Sequence, residues 1–310
     1  MKKIFVLSFI YLIIYSCAPV ATKPQPAAEE KSVVAVPVDP DVTIGKLDNG
    51  LTYYIRSNKK PENRAEMLLV VNAGSVLETD IQQGLAHFVE HMAFNGTKNF
   101  PKQDLVNYLE LMGLDFGADL NAYTSFDETV YMLTVPLDDA EKLEKAFQIL
   151  EDWAHNLSFE DEEIDKERGV VIEEWRLGQG ANMRMIDKQL PIILQGSKYA
   201  QRLPIGKKAV LDTFQHQTPK EFYSKWYKPD LMAVIAVGDF EKPAIEGLIQ
   251  QYFSNIPSLP NPTQRPEIPV PDHDETLYAI ASDPEASYSN VNLIYKSDKA
   301  TDRSSVGAFR

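Results

Sequence analysis

The chain has 310 residues, of which 44% are hydrophobic and 25% charged, enough for a sizeable core and for more than one domain. Its formal net charge of −14 argues against nucleic acid as a partner, because phosphate binding needs clustered Lys and Arg; solubility is the simpler use of such acidity. A single cysteine, Cys17, excludes an internal disulfide framework and a tetrathiolate zinc site.

Lys2 and Lys3 open the chain, and the apolar run "IFVLSFIYLIIYS" leads directly to Cys17. The run is too short for a comfortable membrane span and has the layout of an export signal, residues 1–17. Its end, "IYSC", resembles a bacterial lipobox, although Tyr15 fills a slot that usually holds a smaller residue. Cys17 is therefore the expected lipidation site, and the expected location is the periplasm, with the protein anchored to a bacterial membrane as a lipoprotein. A plain secretion signal or a short anchor helix is the alternative. Residues 18–40, rich in Ala, Pro and charge, read as a flexible tether.

A hairpin is expected across "TIGKLDNGLTYYIRSN", with Asp48, Asn49 and Gly50 at the turn. A buried strand follows in "AEMLLVVNAGS", then a helix from Gln82 to Phe94 and a second in "PKQDLVNYLELMG". "ADLNAYTS" and "ETVYMLTVP" read as strands. Leu143, Ala146, Phe147 and Leu150 recur at helical spacing in "DDAEKLEKAFQILEDWAHN". Another helix, "DEEIDKERGVVIEEWRL", starts with acids, as a helix N-terminus favours, and is interrupted by Gly178 and Gly180. The helix "TPKEFYSKWY", the strand "LMAVIAVGD" and the helix "KPAIEGLIQQYFSNI" complete a domain at residues 41–257. The proline-rich residues 258–272 can be neither helix nor central strand and read as a linker. Two strands, "TLYAIAS" and "SNVNLIYKS", are expected in residues 273–310, the incomplete start of a second domain in what reads as a fragment of a longer protein. The mixture predicts an α+β fold: a mainly antiparallel sheet packed by helices.

The chemistry concentrates in "HFVEHMAFNGT", residues 87–97. On a helix His87, Glu90 and His91 fall within one narrow arc. Two imidazoles one turn apart can grip one zinc ion, and a glutamate beside them can take a proton from water that the ion activates. The apolar neighbours Leu85, Phe88, Val89 and Met92 would embed the helix in the core. A catalytic zinc needs a third protein ligand. His155, His216 and His273 are isolated in loop-like sequence and read as surface or cap residues. "ERGVVIEEW" offers Glu167, Glu173 and Glu174 instead. Glu167 and Glu174 are two turns apart on one face, while Glu173 points about 100° away from Glu174. If one of the aligned pair binds the metal, the other can orient a ligand.

His-x-x-Glu-His is the inverted zincin signature. With "NAGSVLETDIQQGLAHFVEHMAFNGT", "GADLNAYTSFDETVYMLTVP", "ERGVVIEEW" and "KWYKPDLMAVIAVGDF", the chain resembles the pitrilysin-like zinc peptidases, the superfamily of insulin-degrading enzyme and the mitochondrial processing peptidases, and most closely their bacterial periplasmic branch. The resemblance implies His87, His91 and Glu174 as zinc ligands, Glu90 as general base, and Glu167 as a supporting catalytic glutamate. It implies that Asn121 and Ala122 lie on a strand whose free edge pairs with an extended peptide. It also implies a partner: a second homologous half, in the same full-length chain or a separate subunit, that closes a chamber and contributes a tyrosine and an arginine to the oxyanion. The expected function is zinc-dependent hydrolysis of peptides or unfolded segments. The alternative is a non-catalytic peptide-binding or assembly subunit on the same fold.

Overall fold

A computed structural model describes residues 37–296, except residues 103, 112, 115, 116 and 118. Cys17, the export signal and most of the tether lie outside the described residues, as do residues 297–310. Among the described residues no helix is long and apolar enough to cross a membrane.

The turn at Asp48–Gly50 reverses the chain between β1 (Val42–Lys46) and β2 (Thr52–Ser57), which pair antiparallel. Gly50 adopts φ +99°, a region that L side chains rarely enter. Asn49 ties this turn to the far end of the domain, donating to the carbonyls of Phe253 and Ile256 at 2.7 and 3.1 Å. Next come β3 (Arg64–Val71), α1 (Leu85–Met92), α2 (Asp104–Leu111), β4 (Leu120–Thr124) and β5 (Thr129–Pro136). The helices α3 (Ala140–His155), α4 (Asp161–Gly178), α5 (Ala181–Ile193), the single turn α6 (Lys208–Leu211) and α7 (Gln217–Trp226) lead to β6 (Met232–Gly238) and α8 (Lys242–Phe253).

The six strands form one sheet in the order β1-β2-β6-β3-β5-β4. Only β2 and β6 run parallel; every other neighbouring pair is antiparallel, so the fold is α+β with the mainly antiparallel sheet that the sequence predicts. Alternation puts one face of each strand in the core. Ile55, Met67, Leu69, Tyr131, Leu133, Val234 and Ala236 are buried on that face, and the ladder register sets Met67 opposite both Leu133 and Ala236. The helices α1, α3 and α8 pack on this sheet. Trp153 of α3 stacks on Tyr131 and donates its indole N–H to the Ala93 carbonyl at 2.9 Å, holding the exit of α1. β4 is an edge strand.

Three differences from the sequence reading have physical causes. The helix expected from Gln82 begins at Leu85, because Gly84 takes φ +100° and separates it from a 3-10 turn at Asp80–Gln82. The glycines after α4 end one helix and introduce another, α5, which the sequence reading does not include; it carries Pro191 within it, and none of its residues is fully buried. The strands expected after Pro271 do not form among the described residues. Tyr278, Ile280, Val291, Leu293 and Tyr295 are more than two-thirds exposed there, and a lone strand pair without a face to bury is not stable in water. The proline-rich linker is strapped down rather than free. Thr263 donates to Asp230, Arg265 to the Asn72 carbonyl and to Asp127, and Ser197 to the Pro269 carbonyl. Residues Val38–Ser297 thus form a single contact unit.

The loop before α6 crosses the start of α1 backbone to backbone. A Cβ on Gly206 would lie 2.3 Å from Gly84 Cα, and Gly206 itself has φ +74°. Gly206→Ala is predicted to cost about 2–3 kcal/mol through strain and overpacking, lowering the melting temperature by roughly 5–10 °C. Thermal unfolding followed by circular dichroism checks this; an unchanged midpoint would mean that the loop does not dock as described.

Candidate metal centre and cleft

α1 and α4 cross so that three donor atoms converge. His87 Nε2 and His91 Nε2 are 3.2 Å apart. Glu174 Oε2 lies 3.7 Å from the first and 3.4 Å from the second. Bonds of about 2.0–2.1 Å at tetrahedral angles place ligand atoms about 3.3 Å apart, so the triangle has the dimensions of one face of a zinc tetrahedron. These three residues are the one metal-capable group of His, Cys, Asp and Glu among the described residues. Glu173 is turned to solvent, where both its oxygens pair with Arg176 at 2.8 and 2.5 Å.

The two histidines are held differently. His91 Nδ1 bonds Glu167 Oε1 at 2.6 Å. The other oxygen of Glu167 accepts Asn95 Nδ2 at 2.8 Å, and the same amide nitrogen donates to the His91 carbonyl at 3.0 Å. Glu167 and Asn95 thereby fix both the ring and the backbone of His91, the outer support that metal-ligating histidines generally carry. His87 Nδ1 is buried with no hydrogen-bond partner.

Burial, then the neighbouring His91, push the pKa of His87 below its ordinary value, favouring the neutral form that binds metals. Burial also opposes charge on His91, but the hydrogen bonds to Glu167 and Glu174 outweigh it and raise this pKa. Glu174 is held below the usual carboxylate range, mainly by its hydrogen bond to His91.

Glu90 faces the same cleft and is 8% exposed. Burial raises its pKa, while the Thr124 hydroxyl, donating to Oε2 at 2.6 Å, pulls the other way. Thr124 reaches it because Ala122 and Thr124 sit opposite Tyr131 and Thr129, on the face of the sheet that α1 covers. Asn121 and Tyr123 have the opposite strand parity and are exposed, and both border the cleft at its edge. The cleft has a volume of about 530 Å³ and runs from the three donors along β4, with Phe94, Pro204 and Ile205 on its apolar walls.

His87, Glu90, His91, Glu167, Glu174, Asn121 and Ala122 therefore line one cleft. His216 pairs with Asp165 and Asp161, and His273 bonds a nearby carbonyl. The sequence reading missed Asn95 and Thr124. Asn95 is one helical turn beyond His91, so the phase used for Glu167 and Glu174 was a signal for it. Thr124 shares the strand parity of Ala122.

Residues 53–192 match the family described as "Insulinase (Peptidase family M16)", and residues 213–307 match "Peptidase M16 inactive domain". The second match begins before the proline-rich segment rather than after it. The chain is 44% identical over 253 residues to a zinc protease PQQL-like protein of Arabidopsis thaliana, covering 81% of this chain and 26% of that protein. It is 43% identical over 219 residues to a probable zinc protease PqqL of Haemophilus influenzae, covering 71% and 24%. The crystal structure of the first half of the periplasmic protease PqqL from Escherichia coli superposes with a TM-score of 0.74 at 37% identity, covering 77% of this chain and 51% of that one. The chain thus spans about a quarter of the length of these curated relatives. With both sequence matches falling in one family and the fold shared with a PqqL half, the chain belongs to the pitrilysin-like M16 (insulinase) peptidase family.

Proposed function

We propose that this chain carries the catalytic site of a zinc endopeptidase that cleaves peptides or unfolded segments. The observation that carries the reading is the triangle of His87, His91 and Glu174 donors at tetrahedral spacing, with the buried carboxylate of Glu90 facing the same cleft. When bound, zinc supplies a Lewis acid that polarises the scissile carbonyl and eases loss of a proton from water. His87, His91 and Glu174 hold the ion, and Glu167 with Asn95 keeps the His91 ring aimed at it. Glu90 accepts the proton of the attacking water and delivers it to the leaving amine. Thr124 orients the Glu90 carboxylate for both transfers.

The free edge of β4 is the docking rail for the peptide. Thr134 N–H donates to the Asp119 carbonyl at 2.7 Å and Ser125 N–H to the Glu128 carbonyl at 2.8 Å. By antiparallel alternation the backbone groups of Asn121 and Tyr123 then face β5, while those of Ala122 and Thr124 face the open edge. The Ala122 N–H is covered by its neighbour's side chain, Asn121 Oδ1, at 2.9 Å. An extended peptide that displaces this amide adds a strand and sets its carbonyl beside the metal.

A second homologous half supplies further oxyanion stabilisation for turnover. The E. coli relative described as periplasmic supports the same compartment for this protein, and Cys17 anchors it to the membrane by a lipid. A non-catalytic assembly role is the weaker reading, because such a role has no need of three converging metal donors beside a buried carboxylate.

In the full-length protein, Glu174→Gln should weaken zinc at least about a hundredfold and Glu173→Gln less than about threefold, measured by chelator competition. Glu90→Gln should retain zinc and lose cleavage of a quenched fluorescent peptide by at least about a thousandfold; an active variant would sink the proton-transfer role, and a wild type that binds no zinc would leave the assembly reading standing. A bound peptide should slow hydrogen exchange at Ala122 and Thr124 but not at the solvent-facing end of α4, whereas unchanged β4 amides would refute edge docking. For the anchor, Cys17→Ser should move the protein from the membrane to the soluble fraction of cell lysates, and continued sedimentation with membranes would count against it.

A further inference from the structure

Behind the cleft lies an ionisable group that the proposed chemistry does not use. Glu78 has no exposed surface. Both its oxygens accept the Gly84 N–H at 3.1 Å, and Oε1 also accepts the Ala86 N–H at 2.8 Å. Gly84 caps α1, and Ala86 immediately precedes His87. First-turn amides have no partner inside their own helix, and a glycine cap has no side chain to offer them. Glu78 supplies the missing acceptor from outside, through the side-chain oxygens that meet the Gly84 and Ala86 amides. Burial raises the pKa of this carboxyl, to about 8, against the pull of the Ala86 and Gly84 amides and of Arg202 and Lys198.

The rest of the surroundings fixes Glu78 in turn. Arg202, 4% exposed, donates to the Glu78 main-chain carbonyl at 3.2 Å and to Asp80 at 2.6 Å. The Ser75 hydroxyl donates to the Arg202 carbonyl at 2.5 Å. The Gly206 backbone also packs directly against Gly84 at the start of α1. α1 is eight residues long, with His87 at its third position. A displaced first turn therefore displaces the His87 ring, and metal–ligand distances tolerate only about 0.2 Å. His91 has its own brace in Glu167 and Asn95, whereas His87 Nδ1 has no partner.

We propose that Glu78 is a positioning residue of the metal centre: its side-chain oxygens fix the first turn of α1 and, through that turn, His87. The proposal rests on the metal-binding reading above, and the experiment separates the two. Zinc affinity of the full-length protein is measured by chelator competition for wild type, Glu78→Gln, Glu78→Asp and Asp152→Asn, each at matched folded fraction by circular dichroism. Asp152 is the control. It is fully buried and accepts bonds from Thr97, Asn99 and Asn156 beyond the exit of α1, without touching the helix start. Glu78→Gln keeps the shape but faces the Gly84 and Ala86 amides with a donor. It should weaken zinc at least about tenfold, with Glu78→Asp falling between it and wild type, and Asp152→Asn changing affinity less than about threefold. Wild-type zinc binding with Glu78→Gln equal to wild type, or no worse than Asp152→Asn, overturns the proposal while leaving the metal centre intact. If Glu78→Gln does not fold, Glu78→Asp decides alone, and wild-type affinity in that variant overturns the proposal equally. Absence of zinc from the wild type overturns the metal reading itself.

Discussion

The hydrogen bond between His91 and Glu167 is the interaction on which the candidate site depends, because it joins the two helices that share the candidate metal donors. α1 supplies two imidazoles and α4 one carboxylate, and neither helix alone makes a site. Glu167 sits two turns before Glu174 on the same face of α4. Pairing it with the outer nitrogen of His91 therefore brings Glu174 to the inner nitrogens. Asn95 closes the arrangement by holding the second oxygen of Glu167. The cost of burying so many polar groups is offset by the hydrogen bonds they make to one another, His87 Nδ1 excepted.

The sheet contributes direction as much as stability. Its order leaves β4 on the edge, and its alternation turns Thr124 toward Glu90 while Asn121 has the opposite parity. One strand thus touches the candidate base with its side chains and offers its backbone to an extended chain. The buried row from Tyr53 across Val234, Leu69 and Tyr131 anchors that strand to the core, which lets the edge stay in place without a further strand beside it.

Much of this was legible in the sequence because local patterns carry it. The 3.6-residue period put His87, Glu90 and His91 on one arc and separated Glu174 from Glu173, and short apolar runs bounded by turn residues marked strands such as β3. What escaped was set by tertiary contacts rather than by local pattern. Glu78 bonds amides six and eight residues ahead through a glycine with positive φ, and no periodicity announces such a reach. α5 holds Pro191 within it, a residue that reads as a helix breaker in sequence. The segments after Pro271 alternate like strands, yet a strand exists only with a neighbour to bond, and none is present among the described residues.

The central claim is that one metal ion is held by both imidazoles of α1 and the later glutamate of α4. X-ray diffraction from zinc-loaded crystals, recorded on both sides of the zinc absorption edge, tests it most directly. The account predicts a single anomalous peak within about 2.0–2.2 Å of His87 Nε2, His91 Nε2 and a Glu174 oxygen, with Glu167 bonded to His91 and not to the metal. A peak bound by Glu173, or a stoichiometric zinc bound elsewhere with this triangle empty, would contradict it.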